Sequence, residues 1–153
     1  MTMPQLDAWT QGLADADDAP AVPRRAPTDE LELSELVLPQ QANHYGTLFG
    51  PNALALLGKA AYLVAARHTR QSVVMAAARQ VDFLAPIPVG AIVNVRARVT
   101  RVGHRSLSVR VVACFDAAPG IRPDEVLRGD FEMVAVDELG RPCAIRLPDA
   151  SAR

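Results

Sequence analysis

The chain has 153 residues, of which 50% are hydrophobic and 5% aromatic. This length and composition predict a single folded domain with a core built mainly from alanine, valine and leucine. A formal net charge of −1 excludes a general electrostatic attraction to nucleic acid or to an anionic membrane. We therefore expect neither nucleic acid nor a membrane among the partners of this chain.

Residues 1–30 differ in composition from the remainder and predict an N-terminal tail. Acidic residues at 15–18 are followed by prolines and arginines at 20–27, as is typical of a linker. Leu6, Trp9 and Leu13 fall on one helical face, which allows a short helix that docks on the domain or on a neighbouring subunit. The folded domain is predicted over 31–147, and a C-terminal tail over 148–153.

The domain is predicted to begin with a strand over 31–38, which a polar loop connects to a helix over about 52–68. That helix is apolar on almost every face, so it must be surrounded rather than covered on one side. Alternating apolar and polar residues then predict half-buried strands. These later strands cover about 72–84, 93–100, 107–115 and 126–136. One helix followed by several antiparallel strands predicts an α+β fold in which a curved antiparallel sheet wraps a central helix.

The loop before the helix reads NHYGTLFG at 43–50 and is the clearest candidate for a binding site. A loop that leads backbone N–H groups into a helix N-terminus can bind a carbonyl or phosphate oxygen. The three histidines lack metal-ligand spacing, and the chain contains neither a Walker loop nor a G-x-S-x-G motif. No metal site is therefore predicted.

The two cysteines, Cys114 and Cys143, are too isolated for a disulfide framework. The apolar helix is too short to span a bilayer and contains Lys59. Together with the lack of a secretory signal near the N-terminus, these features predict a cytoplasmic protein.

Several segments resemble, in the same order, successive blocks of the hotdog-fold acyl-CoA thioesterases. They lie at 43–50, 53–57, 81–90, 103–106 and 131–142, so the resemblance covers roughly 31–147. It implies a hotdog fold, homodimers whose sheets join, and often trimers of such dimers. It also implies active sites at the dimer interface, with acyl-CoA as the ligand and no cofactor beyond the coenzyme A of the substrate.

Thioester hydrolysis needs a polarised carbonyl, an activated water or carboxylate nucleophile, and anchorage for coenzyme A. The resemblance implies that Asn43 positions water or substrate, although capping of the loop backbone is an equal alternative. The family's helix aspartate corresponds to Gly58, and no acidic residue occurs between positions 52 and 69. Pro51 stands where the family commonly has a glycine that donates its N–H, and proline has none.

Two further residues could supply acid–base chemistry. His44 is a candidate base at neutral pH, and a solvent-exposed loop histidine is the alternative. Asp82 is predicted to be structural, and a replacement for the missing helix carboxylate is the alternative.

The predicted contacts with substrate and coenzyme A fall into two groups. The first belongs to the loop and the helix start, and the second lies at one strand connection, where arginine suits phosphate. A solvated hairpin end is the alternative for the second group. The first group is Gly46, Thr47, Gly50 and Asn52, and the second is Arg101, His104, Arg105 and Ser106.

Three functions are compatible with this sequence. The first is acyl-CoA hydrolysis with reduced activity, and the second is acyl-CoA binding without catalysis. The third is a dehydratase or hydratase, whose members pair a loop histidine with a helix acid; His44 matches the histidine, but Gly58 occupies the place of the acid. The sequence favours the first function.

Overall fold

The structure is a computed structural model that describes residues 29–115 and 124–146. It consists of one five-stranded antiparallel sheet and one long helix, with strand order β1-β3-β4-β5-β2. The elements are β1 (Glu30–Leu36), a short 3-10 helix (Pro39–Gln41), α1 (Gly50–Thr69), β2 (Ser72–Phe83), β3 (Ile92–Val102), β4 (Ser106–Phe115) and β5 (Glu125–Val136). The predicted α+β hotdog architecture is confirmed. The predicted N-terminal helix around Trp9 and the tail at 148–153 lie outside the described residues.

Helix α1 is two residues longer at its start and one at its end than the sequence predicts. Pro51 suits the first helical turn because its fixed φ angle is already helical. The helix ends at Arg70, whose left-handed backbone (φ 53°) lets its N–H donate to the carbonyl of Ala66 at 2.9 Å. The two basic residues Arg67 and His68 in the last turn complement the helix dipole.

The sheet curves around α1, and the helix packs against all five strands. The core lies between them and contains fully buried side chains from both, including Leu57, Val64, Val109 and Phe131. On the other side of the helix, the apolar side chains of Leu54, Tyr62 and Leu63 remain 39–47% exposed. One chain therefore leaves part of its apolar helix uncovered.

The outer face of the sheet, directed away from α1, carries arginines that are paired across strands with carboxylates. These pairs are Arg96–Glu32 at 2.7 Å, Arg98–Glu30 at 3.8 Å, Arg110–Asp130 at 2.9 Å and Arg128–Asp82 at 2.8 Å. The hydrogen bond from Arg110 holds the pKa of Asp130 below its usual value, despite partial burial of the carboxyl group. This face is therefore polar, as the alternating sequence predicts, and its arginines are neutralised by neighbouring carboxylates.

The two ends of the sheet differ in what they carry. At the loop end, β1 and β2 finish, β3 and β5 begin, and α1 starts. At the hairpin end, β3 turns into β4, β5 finishes, β2 begins and α1 terminates. The ten residues of β4 separate these ends by roughly 30 Å, at about 3.3 Å per residue.

Candidate functional site

The loop before α1 is folded around the side chain of Asn43. Its carboxamide oxygen accepts hydrogen bonds from the N–H groups of Tyr45 at 3.0 Å and Thr47 at 3.2 Å. Its amide nitrogen donates to Thr47 Oγ1 at 3.0 Å. Gly46 adopts a left-handed backbone (φ 74°) and donates its N–H to the Asn43 carbonyl at 3.1 Å. Asn43 thus caps the backbone of its own loop.

Further bonds fasten this loop to its surroundings. The N–H of Leu48 donates to the carbonyl of Ile87 at 2.7 Å, and the N–H of Val89 donates to that of Gly46 at 3.0 Å. The side-chain amide of Asn52 donates to the carbonyl of Gln41 at 3.1 Å, which ties the first helical turn to the preceding 3-10 helix. These bonds fix the loop against residues 87–89 and the first turn of α1 against the preceding 3-10 helix.

The first turn of α1 has backbone N–H groups that can donate hydrogen bonds to a ligand, but one fewer than a first turn without proline. The first N–H groups of a helix have no acceptor within it, and Phe49 provides no side-chain cap. Gly50 and Asn52 have such N–H groups, whereas Pro51 between them has none. A Cβ added at Gly50 would meet nothing within 4 Å, so the backbone is accessible there.

Two open apolar cavities lie on either side of this helix start. One, of about 170 Å³, is lined by Leu36, Leu48, Leu56 and Val93, with the Lys59–Glu35 ion pair at its edge. The other, of about 210 Å³, is lined by Leu48, Ala53, Phe83, Leu84, Ile87 and Leu127. Either cavity offers apolar surface next to the helix N-terminus.

Gly58 lies two turns further along α1 and faces strand β2. An added Cβ at this position would come within 2.9 Å of the terminal methyl group of Met75. Gly58 is buried, and the Met75 side chain covers it while remaining 45% exposed itself. Sequence reasoning did not identify Met75, because only the register of β2 against the helix brings these residues together.

The two candidate acid–base groups, His44 and Asp82, lie in different parts of the fold: His44 belongs to the loop before α1, and Asp82 belongs to β2. The exposed His44 ring lies against Tyr45, with ring centroids 3.9 Å apart, and no carboxylate of the described chain is paired with it. Asp82 is bound by Arg128 on the outer face of the sheet, away from α1. The interpretation of Asp82 as a replacement for the helix carboxylate of the same chain is therefore wrong.

The second group of predicted substrate residues lies at the hairpin end. Arg101, His104 and Arg105 are exposed and form no ion pair with any described residue, in contrast to the arginines of the outer face. The C-terminal segment adds another cation beside them, because the N–H of Ile145 donates to the carbonyl of His104 at 2.8 Å and the next residue is Arg146. We call Arg101, Arg105 and Arg146 the hairpin-end cations, and His104 lies beside them.

A single chain does not bring the two groups of predicted substrate residues together. The loop and the helix start lie at one end of the sheet, and the hairpin-end cations lie at the other, because β3 and β4 are antiparallel neighbours. No cluster of three potential metal ligands occurs within 29–115 or 124–146. Over the same ranges, no helix is long and apolar enough to cross a membrane.

The fold and the loop–helix element define a class of protein, and comparison with known proteins identifies it. The sequence model of the thioesterase superfamily matches residues 45–114. An uncharacterised acyl-CoA thioester hydrolase of Zymomonas mobilis is 34% identical over 120 residues, which cover 78% of this chain and 80% of that protein. The chain thus belongs to the thioesterase superfamily, among its hotdog-fold acyl-CoA thioester hydrolases.

Solved structures agree with this assignment. An acyl-CoA hydrolase from Staphylococcus aureus, in complex with butyryl coenzyme A and coenzyme A, is 30% identical with a TM-score of 0.73, over 78% of this chain and 73% of that chain. Further structures of this enzyme carry alanine in place of one asparagine, aspartate or threonine. An apo-hexameric acyl-CoA thioesterase is 32% identical with a TM-score of 0.72, over 78% of this chain and 76% of that chain.

Proposed function

We propose that this chain binds acyl-CoA at a dimer interface and hydrolyses the thioester slowly, because its active site lacks the helix carboxylate. The observation that carries this proposal is the pair formed by Gly58 and Met75. The place of an acidic side chain on α1 holds no side chain of its own and is covered by a methyl group.

The spacing of the altered residues in the Staphylococcus aureus enzyme supports this assignment. Its replaced aspartate lies 15 positions after the replaced asparagine, and its replaced threonine lies 17 positions after the aspartate. The same intervals separate Asn43, Gly58 and Met75 in this chain. This correspondence supports Asn43 as a residue of the site, with glycine and methionine at the other two positions.

The remaining groups can bind a thioester but offer little chemistry. The N–H groups of Gly50 and Asn52 would polarise the carbonyl oxygen at the helix N-terminus. Pro51 withholds one donor, and the loss of such a donor costs about 10²–10³ in rate. Without a carboxylate at position 58, α1 itself offers no acidic side chain as a base for water attack. His44 would have to leave Tyr45 to serve as a base.

We infer that the site is completed by a second copy of this chain that pairs along β2. This strand is an edge strand of 12 residues, and Val74, Met75 and Phe83 on it are 45–54% exposed. An open apolar edge favours pairing with another strand. Antiparallel pairing of two β2 strands would bring the hairpin end of one protomer towards the loop end of the other.

This arrangement would reunite the two groups of predicted substrate residues. The loop and helix start of one subunit would hold the thioester, and the hairpin-end cations of the partner subunit would bind the phosphates of coenzyme A. Gly58 would then face Asn43 of the partner subunit across the interface. Assembly of three such dimers is a further proposal, which the hexameric state of one relative supports.

Calorimetric titration with acyl-CoA of several chain lengths tests the binding. We expect saturable binding that weakens in Arg105→Ala and is retained in Arg96→Ala, whose arginine is already paired with Glu32 on the outer face. Light scattering of the same samples should report dimers or multiples of dimers. A stable folded monomer at micromolar concentration, or no binding of any acyl-CoA, would contradict the proposal.

Acyl-CoA binding without turnover is the second candidate, since the Gly58–Met75 pair favours it equally. The dehydratase alternative loses support, because the helix acid that it requires is absent and the matched relatives are hydrolases. For either remaining function we place the protein in the cytoplasm, where the thiols of Cys114 and Cys143 would stay reduced.

A further inference from the structure

The contact between Gly58 and Met75 indicates that the site differs from that of its relatives in two ways: the helix carboxylate is missing, and the space for it is filled. The space beside Gly58 is occupied by the Met75 methyl group at 2.9 Å from the place of an added Cβ. Real Cβ atoms essentially never approach another heavy atom so closely, so any side chain at position 58 must displace the end of Met75. Replacing Gly58 alone would therefore put a new carboxylate into a space that is already filled.

We propose that Met75 is the occluding residue of this site, and that the carboxylate position and its cover form one coupled unit. This inference rests on the proposed function, because it gives a physical reason for the slow hydrolysis proposed there. The methionine side chain is unbranched and flexible, so it can fill an irregular gap that the absence of a side chain at Gly58 creates.

The chemistry of the cover explains how it would act on a restored acid. A carboxylate placed against a thioether and its methyl group loses contact with water, which disfavours its charged form and raises its pKa. Removing the bulk of Met75 would admit water beside the carboxylate, which both general-base catalysis and ionisation require.

The position of Met75 in the fold allows it to be changed without dismantling the core. It lies near the start of the edge strand β2, next to a register irregularity of the β2–β5 pair between Met75 and Ala77. Its side chain is 45% exposed, unlike the fully buried Met133 opposite it on β5. A smaller residue at position 75 should therefore open the space over Gly58 and leave the packing of the sheet intact.

Four variants test the coupling: Gly58→Asp alone, and Gly58→Asp combined with Met75→Ala, with Met75→Thr or with Met75→Leu. kcat and KM for one acyl-CoA are measured for each across pH 5–9. We expect a small gain in kcat for Gly58→Asp and a further gain of about tenfold or more with alanine or threonine at position 75. Met75→Leu should give no further gain, because leucine keeps a side chain of similar bulk over position 58 although it lacks the thioether.

The pH profile separates a catalytic gain from a general loosening of the structure. In the active double variants, kcat should fall at acidic pH with the protonation of the new carboxylate, and Gly58→Asn with Met75→Ala should lack both this limb and the gain. Equal kcat values for all four aspartate variants would overturn the occlusion.

Calorimetry keeps the two proposals distinct. If no variant binds acyl-CoA, the proposed function fails, whereas binding with equal kcat in the Met75→Ala and Met75→Leu double variants refutes only the occlusion.

Discussion

Gly58 and Gly129 can be compared directly, because a new side chain meets a movable neighbour at Gly58 and a fixed neighbour at Gly129. An added Cβ would meet its nearest neighbour at 2.9 Å both at Gly58 and at Gly129. At Gly58 that neighbour is the end of the half-exposed Met75. At Gly129 it is the ring of the fully buried Phe131, and Val81 lies 3.2 Å away on another side. Identical substitutions should therefore have opposite effects on stability.

Gly58→Ala removes a glycine from a helix interior, which is worth about 0.5–1 kcal/mol of stability. The Met75 methyl group can move aside, so most of this gain should remain. Gly129→Ala forces a buried ring to shift, and overpacking of this kind costs about 1–3 kcal/mol. We expect the free energy of unfolding to rise for the first variant and to fall for the second.

Urea unfolding followed by circular dichroism, at one fixed protein concentration, measures the difference. With an m-value of about 2 kcal/mol per molar urea, the gain at position 58 corresponds to a midpoint shift of roughly 0.25–0.5 M. Gly50→Ala is the control, because its new methyl group would meet nothing within 4 Å. If Gly58→Ala lowers the midpoint as much as Gly129→Ala does, Met75 is held rigidly and the reasoning about a movable cover is refuted.

Three further predictions concern the loop, the helix end and the outer face of the sheet. Asn43→Ala should weaken acyl-CoA binding and expose the 43–47 loop to limited proteolysis, because the bonds to Tyr45 and Thr47 are lost; unchanged cleavage would contradict this. Thr69→Val should destabilise the fold by about 1 kcal/mol in urea unfolding, because a buried hydroxyl then no longer donates to a helix carbonyl. The pKa of Asp130 is lowered in the folded state, so its pair with Arg110 should stabilise the fold fully above the ordinary carboxyl pKa. This stabilisation should be lost as pH falls from that value through the lowered pKa of the folded state. The stability difference between the natural chain and Asp130→Asn should therefore shrink from pH 6 to pH 3, and a constant difference would contradict this assignment.

The secondary structure could be predicted from local patterns because each element follows its own periodicity. The helix from Gly50 to Thr69 has apolar residues on most faces, and β4 and the first part of β3 alternate between core and outer face. The strand bounds differ from the predictions by only a few residues. The resemblance in the 43–50 loop added the hotdog topology, which periodicity alone does not determine.

Long-range geometry accounts for what the sequence could not predict. The contact between Gly58 and Met75 depends on how β2 lies against the helix, and the bulge after Met75 shifts that register. The 43–50 loop and the group of Arg101, His104, Arg105 and Ser106 are both predicted to contact acyl-CoA, but antiparallel topology puts them at opposite ends of a single chain. The 2.9 Å contact between His68 Nδ1 and Asp29 Oδ1 likewise joins the end of α1 to the residue before β1, which no local pattern predicts.

The turnover number of the natural chain, measured for an acyl-CoA that calorimetry shows it to bind, tests the central claim most directly. Acyl-CoA hydrolysis is followed by release of the free thiol of coenzyme A at saturating substrate. The missing carboxylate and the cover by Met75 predict saturable binding with a kcat below the common enzymatic range of roughly 1–10³ per second. A kcat within that range, lowered rather than raised by Gly58→Asp, would contradict the assignment of Gly58 as the vacant carboxylate position.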